Sequence, residues 1–211
     1  MVKFGFRHAA IAAMLLAGTG LSFASGPDTA SSVDPKITEG IRYHNLARTE
    51  PEGNIEKGKE ILGPLQKKFS LAKAYYGSLI TLEAGVYAKN KNGLKALALL
   101  SEGTGLIDEA VKADPDFAEI HFLRMENSYE VSEASPLNRY KIMKKDIDWL
   151  TEREAGFEPV NRGILYLYTG YYNLKARKMD AALAAFDACI AVSPGSPEAA
   201  AAEKQKARYA E

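Results

Sequence analysis

The stretch GILYLYTGYYNLKARKMDAALAAFDACIAVSPGS, residues 163–196, decides the fold. Apolar spacing predicts one helix from Val160 to about Lys175 and a second from Asp180 to Val192. Gly170 and Ala182 are small enough to let the two helices approach closely. Phe186 is large enough to fill the gap between them, and Pro194 stops the second helix. The pattern has an echo upstream. Displaced by 79 positions, LIDEAVKADP (residues 106–115) parallels AFDACIAVSP (residues 185–194). Asp108 then meets Asp187, Val111 meets Ile190, Pro115 meets Pro194 and Glu119 meets Glu198. Recurrence of a helical hairpin at a fixed offset marks a repeat architecture.

Outward from this hairpin the chain reads as helix, turn, helix. Asp34-Pro35 opens the first helix, with an aspartate cap and proline at the first helical position. Thr49 with Glu52 resembles a capping box for the second. That helix carries Ile55, Gly58, Ile61, Leu62, Leu65 and Phe69, and Gly63-Pro64 must kink or break it. A third runs from about Leu71 to Ala88. A turn at Asn90–Gly93 leads to a fourth, holding Leu99, Leu100, Gly103, Leu106, Ile107, Ala110 and Val111. Asp116 and Glu119 look like the capping box of a fifth, which Ser135-Pro136 ends. A sixth extends to about Arg153. Ser196-Pro197 caps a last, alanine-rich helix. No stretch alternates as a strand does. The expectation is an all-α chain of about nine helices.

Residues 163–196 resemble one tetratricopeptide repeat over its full length. An aromatic stands at the fourth place (Tyr166), glycine at the eighth (Gly170), alanine at the twentieth (Ala182), phenylalanine at the twenty-fourth (Phe186) and proline at the thirty-second (Pro194). Asn173 and Cys189 depart from the usual residues. The offset between the two copies is about two periods of 34 residues plus an insertion. Residues 71–115 keep the end of the pattern (Ala110, Pro115), and residues 116–156 lack the terminal proline. The wider layout resembles small exported helical-repeat proteins of bacteria. It does so through Ala74-Tyr-Tyr-Gly-Ser78, Leu106–Pro115 and Glu119-Ile-His-Phe-Leu-Arg124. The resemblance implies a right-handed stack of helical hairpins, a TPR-like α-α superhelix, and carries no activity with it.

The first 24 residues are a different material. Lys3 and Arg7 give a positive n-region and Ala9–Leu16 an uncharged apolar run. Ser22-Phe23-Ala24 sets small residues before a cleavage point. This is the pattern of a secretory signal peptide. A membrane anchor is the competing reading, but the run is short for a bilayer and Gly18 and Gly20 interrupt it. No cysteine follows the run, so a lipid anchor is not expected. The domain organisation read from the chain is signal peptide 1–24, flexible leader 25–32 and one helical-repeat domain over 33–211. The expected location is periplasmic or secreted, without a stable membrane anchor. Removal of residues 1–24 leaves 25 basic against 27 acidic residues, a net charge of −2. Nucleic-acid binding requires a basic surplus or stripe, and none is present. Cys189 is the single cysteine, which excludes an internal disulfide and a cysteine metal cluster. It reads as a small core residue, with an intermolecular disulfide as the alternative.

Catalytic patterns are missing from the sequence. There is no His-Glu-x-x-His zinc site and no Gly-x-Ser-x-Gly elbow. Gly103-Thr104-Gly105 lies mid-helix with no preceding strand and no phosphate-loop lysine, so these glycines read as close packing. His44 and His121 read as satisfied, partly buried rings. No enzyme, cofactor or metal role is expected. Arg124 lies among Ile120, Phe122, Leu123 and Met125. It is either paired with an acid on a neighbouring helix or turned toward an anionic ligand.

Tyrosines are the remaining signal. Tyr75, Tyr76, Tyr87, Tyr129, Tyr166, Tyr168, Tyr171 and Tyr172 all fall on the first helices of hairpins. By analogy with the repeat, Ile164, Leu167, Tyr168, Tyr171 and Leu174 would face a concave groove. Phe122, Glu126 and Tyr129 would do so one hairpin earlier. Such aromatics either bind a partner or fill the space between hairpins. The expected function is a non-enzymatic protein-binding or scaffold module that presents this groove to a peptide or partner protein. The alternative is an accessory, ligand-binding protein of a periplasmic solute-transport system.

Overall fold

Asp34 caps the first described helix as expected. Its carboxylate accepts a hydrogen bond from the Lys36 amide at 2.9 Å, and Pro35 takes the first helical position. From there a computed structural model describes residues 34–209. The expected signal peptide and leader lie outside the described residues. The helices are α1 (Pro35–Ala47), α2 (Asn54–Leu62), α3 (Ser70–Lys89), α4 (Gly93–Ala113) and α5 (Ala118–Ala134). They continue with α6 (Tyr140–Thr151), α7 (Pro159–Lys175), α8 (Met179–Val192) and α9 (Pro197–Ala207). Among the described residues the protein is all helical, with one 3₁₀ turn at Glu154–Gly156 and no strand.

Local chemistry explains most of these boundaries. Asn92 caps α4 by accepting from the Lys95 amide, and Ser196 caps α9 by accepting from the Ala199 amide. Gly63-Pro64 ends α2 outright. Both expected capping boxes are corrected. The Thr49 hydroxyl donates backward to the Leu46 carbonyl, and α2 is entered from Gly53 at φ 73°, a conformation that favours glycine. Helix α5 has Phe117 at its cap, while the Glu119 carboxylate is engaged by Tyr75 on α3. A contact across the fold has taken the side chain that spacing had assigned to a local one.

Each helix packs on its chain neighbour. The odd-numbered helices also touch in series, α1 on α3, α3 on α5, α5 on α7 and α7 on α9. Two close approaches hold hairpins together. A Cβ on Gly170 would stand 2.3 Å from the Phe186 ring, so α7 and α8 meet through a bare backbone and a fully buried aromatic. A Cβ on Gly103 would meet the Gly77 carbonyl oxygen at 2.5 Å, which brings α3 and α4 together likewise. Gly105 faces open space, so the close-packing expectation holds for Gly103 and not for Gly105. Cys189 is a buried core residue between Phe186 and Leu167, and burial pushes its thiol up to about 12.

Apolar burial lies mainly between odd and even helices. Phe122, Met143, Ile147, Leu150, Leu165 and Phe186 form one cluster, and Ile37, Ile55, Leu62, Leu71, Leu79 and Ile120 form another. Helix α5 is different. His121, Glu126, Asn127 and Ser128 are buried along with Ile120, Phe122 and Met125. Elements cover it on several sides: His121 meets Asp146 and Trp149 of α6, while Glu126 and Asn127 face a seam where odd helices meet.

Candidate functional site: a closed polar seam

The seam is built from one face of each odd helix. His44 and Arg48 lie four residues apart at the end of α1, so both point the same way. Tyr75, Ser78 and Thr81 recur at helical spacing on α3. Glu119, Glu126 and Glu130 do so on α5, and Tyr168 with Tyr171 extend the row onto α7.

Most of these side chains pair across helices, while Asn127 Oδ1 and Ser128 Oγ are buried without a hydrogen-bond partner. His44 Nε2 lies 2.8 Å from Ser78 Oγ and its Nδ1 lies 3.0 Å from Asn45 Oδ1. Burial, aided by the Arg48 charge, pulls the His44 ring down to about 3, so it is neutral. Its Nδ1 then carries the proton toward Asn45 Oδ1, and Nε2 accepts from the Ser78 hydroxyl. The Tyr75 ring meets the His44 ring edge-on at 4.9 Å. The Tyr75 hydroxyl donates to Glu119 Oε1 at 2.8 Å. Burial raises the Glu119 carboxyl to about 7, against the lowering effect of the Tyr75 hydrogen bond. Arg48 spans the seam, with Nη1 donating to Glu126 Oε2 and Nη2 to Glu130 Oε1, each at 3.0 Å. Burial raises the Glu126 carboxyl and Arg48 opposes the shift. Deeper in, Asn127 Nδ2 donates to Thr81 Oγ1, whose hydroxyl donates to the Ser78 carbonyl, both at 2.7 Å.

The aromatic end of the seam is also packed. Tyr129 stacks on Tyr171 at 4.7 Å and meets Tyr168 edge-on at 5.6 Å. Tyr171 contacts Phe186, and Gln205 of α9 hydrogen bonds its hydroxyl. The space left between α1, α3 and α5 is a cavity of about 10 Å³, room for a single water, bounded by His44, Arg48, Tyr75, Glu119 and Glu126.

The sequence-predicted site residues are thus brought together, but not around an open groove. Phe122, Leu167, Tyr168 and Tyr171 are at most 5% exposed and Glu126 is 7% exposed. Phe122 packs on Phe157 at 5.3 Å. Tyr129 and Leu174 are half-buried against the same core. Of the two readings of these aromatics, the structure shows filling between helices. Arg124 is resolved the same way. Its Nε and Nη2 donate to Asp146 of α6 at 2.9 and 2.7 Å, and Asp146 also meets His121 Nδ1 at 2.7 Å. It is an internal ion pair rather than a ligand-facing arginine.

Sequence reasoning did not pick out Arg48, Glu119 or Glu130 for the seam. The four-residue spacing of His44 and Arg48 is the signal that could have placed Arg48 on the buried stripe. Glu119 carried a competing capping signature. Among the described residues, no group of three or more His, Cys, Asp or Glu is arranged to hold a metal, and no helix is long and apolar enough to cross a membrane. Comparison with protein-family models, curated proteins and solved structures finds no match to the chain.

Proposed function

We propose that this chain is an exported, non-enzymatic scaffold or protein-binding module built as a TPR-like, right-handed stack of helical hairpins. The serial packing of odd helices supports the stacking. So does the Gly170–Phe186 approach, which pairs the two positions the repeat pattern singles out. Lys3, Arg7 and Ser22-Phe23-Ala24 support export to the periplasm.

One observation carries the choice of binding surface. The seam expected to take a peptide is filled by the protein's own side chains, whereas the first hairpin carries an open surface cleft of about 430 Å³. Tyr43, Ile61 and Leu65 supply its apolar part, and Lys36, Glu39, Lys57 and Glu60 supply charges of both signs. Among the described residues no helix precedes α1. Arg42 and Lys57 stack on the Tyr43 ring at 4.2 and 5.6 Å and hold it in place. An ordered, half-buried tyrosine with an apolar neighbour and a charged rim has the make-up of a protein-contact patch. The seam cavity, at about 10 Å³, is far below the several hundred Å³ of an organic-ligand pocket, which counts against the solute-binding reading.

The test is affinity capture from periplasmic extract with the wild-type protein and with Tyr43→Ala/Ile61→Glu. The proposal expects a partner held by the wild type and lost by the variant. A partner retained by the variant, or no partner with either, would sink it.

A further inference from the structure

The contact between α1 and α5 is narrow, and its chemistry is unusual. Helix α1 packs on α2 and α3, yet it reaches α5 through Arg48, whose guanidinium is shared by Glu126 and Glu130. A third carboxyl, Glu119, borders the same small cavity with a tyrosine hydroxyl as its hydrogen-bond partner and no cation bound to it. The cavity is closed from the α1 side by His44, Asn45 and Arg48.

The surroundings of Glu119 offer it no spare positive charge. From α1 come the neutral His44 and the doubly engaged Arg48. From α3 come Tyr75 and Lys73, and the Lys73 ammonium is held by Glu109 of α4 at 3.0 Å. Glu126 on α5 itself is a like charge, and α4, α6 and α7 do not line the cavity. Protonated, Glu119 is a neutral acceptor for Tyr75 beside an ion cluster in which one guanidinium already serves two carboxylates. Ionised, it adds a charge to the wall of a cavity with room for one water and with no cation of its own. The demand of the new charge for hydration then acts on the wall that α1 provides.

We propose that the α1–α2 hairpin is a proton-controlled clasp, seated on α5 when Glu119 is protonated and loosened when Glu119 ionises. The position of the carboxyl, raised by burial to about 7, sets the change near neutral pH. The clasp is independent of what the protein binds, since it concerns how the first hairpin is held and not what its outer cleft receives.

The test is hydrogen exchange read by mass spectrometry at pH 6 and pH 8, corrected for the intrinsic pH dependence of exchange. The full chain is used, with peptides from α7 and α8 as an internal reference. Protection of residues 35–48 is expected to fall about tenfold at pH 8 relative to that reference. Glu119→Gln keeps the carbonyl acceptor for Tyr75 and is expected to hold full protection at both pH values. Tyr75→Phe removes the hydrogen bond that favours the ionised form, so its loss of protection should move to higher pH. Equal corrected protection of residues 35–48 at the two pH values in the wild type would overturn the clasp. So would a Glu119→Gln protein that loosens as the wild type does.

Discussion

At the residue scale the buried acids and glycines make the sharpest demands. The Glu119 carboxyl stands at about 7 in the folded chain against an ordinary 4.5. A folded-state value above the unfolded one favours the protonated form. The stability it brings is therefore complete below about 4.5 and is lost as pH rises through about 7. Glu119→Gln should remove that loss and be more stable than wild type at pH 8 by about 2 kcal/mol, with little difference at pH 4.5. Urea midpoints at the two pH values check this, and parallel pH profiles for the two proteins would contradict it. At Gly170 a methyl group would enter the Phe186 ring. Gly170→Ala should cost about 1–3 kcal/mol despite the better helix propensity of alanine, because the ring is fully buried and cannot swing away. Asp146 is the most loaded acid, receiving Arg124 and His121 at 0% exposure. Asp146→Ala leaves a guanidinium without its partner and should cost about 3 kcal/mol or more in the same urea assay.

At the element scale, what the chain reveals locally and what it conceals divide along physical lines. Pro35, Asn92 and Ser196 act within one helical turn, so the starts of α1, α4 and α9 are legible without any knowledge of the fold. Gly170 and Phe186 are legible because a bare residue and a ring at hairpin spacing have one sensible use. Glu119 was misassigned because its capping spacing competes with a hydrogen bond to Tyr75, 44 residues away. Arg48 pairs with Glu126 and Glu130 across 78 and 82 residues, and no periodicity reports a contact of that reach. Helix α5 shows the same limit. Periodicity tells which residues share a face, not whether another helix covers it. Glu126 reads as groove-facing until α3 and the end of α1 close over it, and His121 is covered by α6. The link made by Arg48 can be measured. Arg48→Met and Glu126→Gln, singly and together, form a double-mutant cycle whose coupling should be about 2 kcal/mol, since Glu126 is buried while Arg48 keeps some exposure. Additive losses would show that α1 is held to α5 by something else.

At the scale of the whole molecule, apolar side chains fill most of the space between odd and even helices, and buried polar groups lie in two places, the seam along the odd helices and the Arg124–Asp146–His121 cluster between α5 and α6. A seam closed by its own side chains makes the odd helices a shared spine, and the open cleft lies on the first hairpin instead. That closure is the central claim, and tyrosine modification tests it most directly. Tyr75, Tyr168 and Tyr171 are 1%, 5% and 3% exposed, whereas Tyr209 is 47% exposed. On brief nitration of the native protein followed by peptide mapping, Tyr209 should react and the three seam tyrosines should stay unmodified until the chain is unfolded. Nitration of Tyr168 and Tyr171 in the native protein at a rate comparable to Tyr209 would mean that the seam is an open groove, and the account would fail.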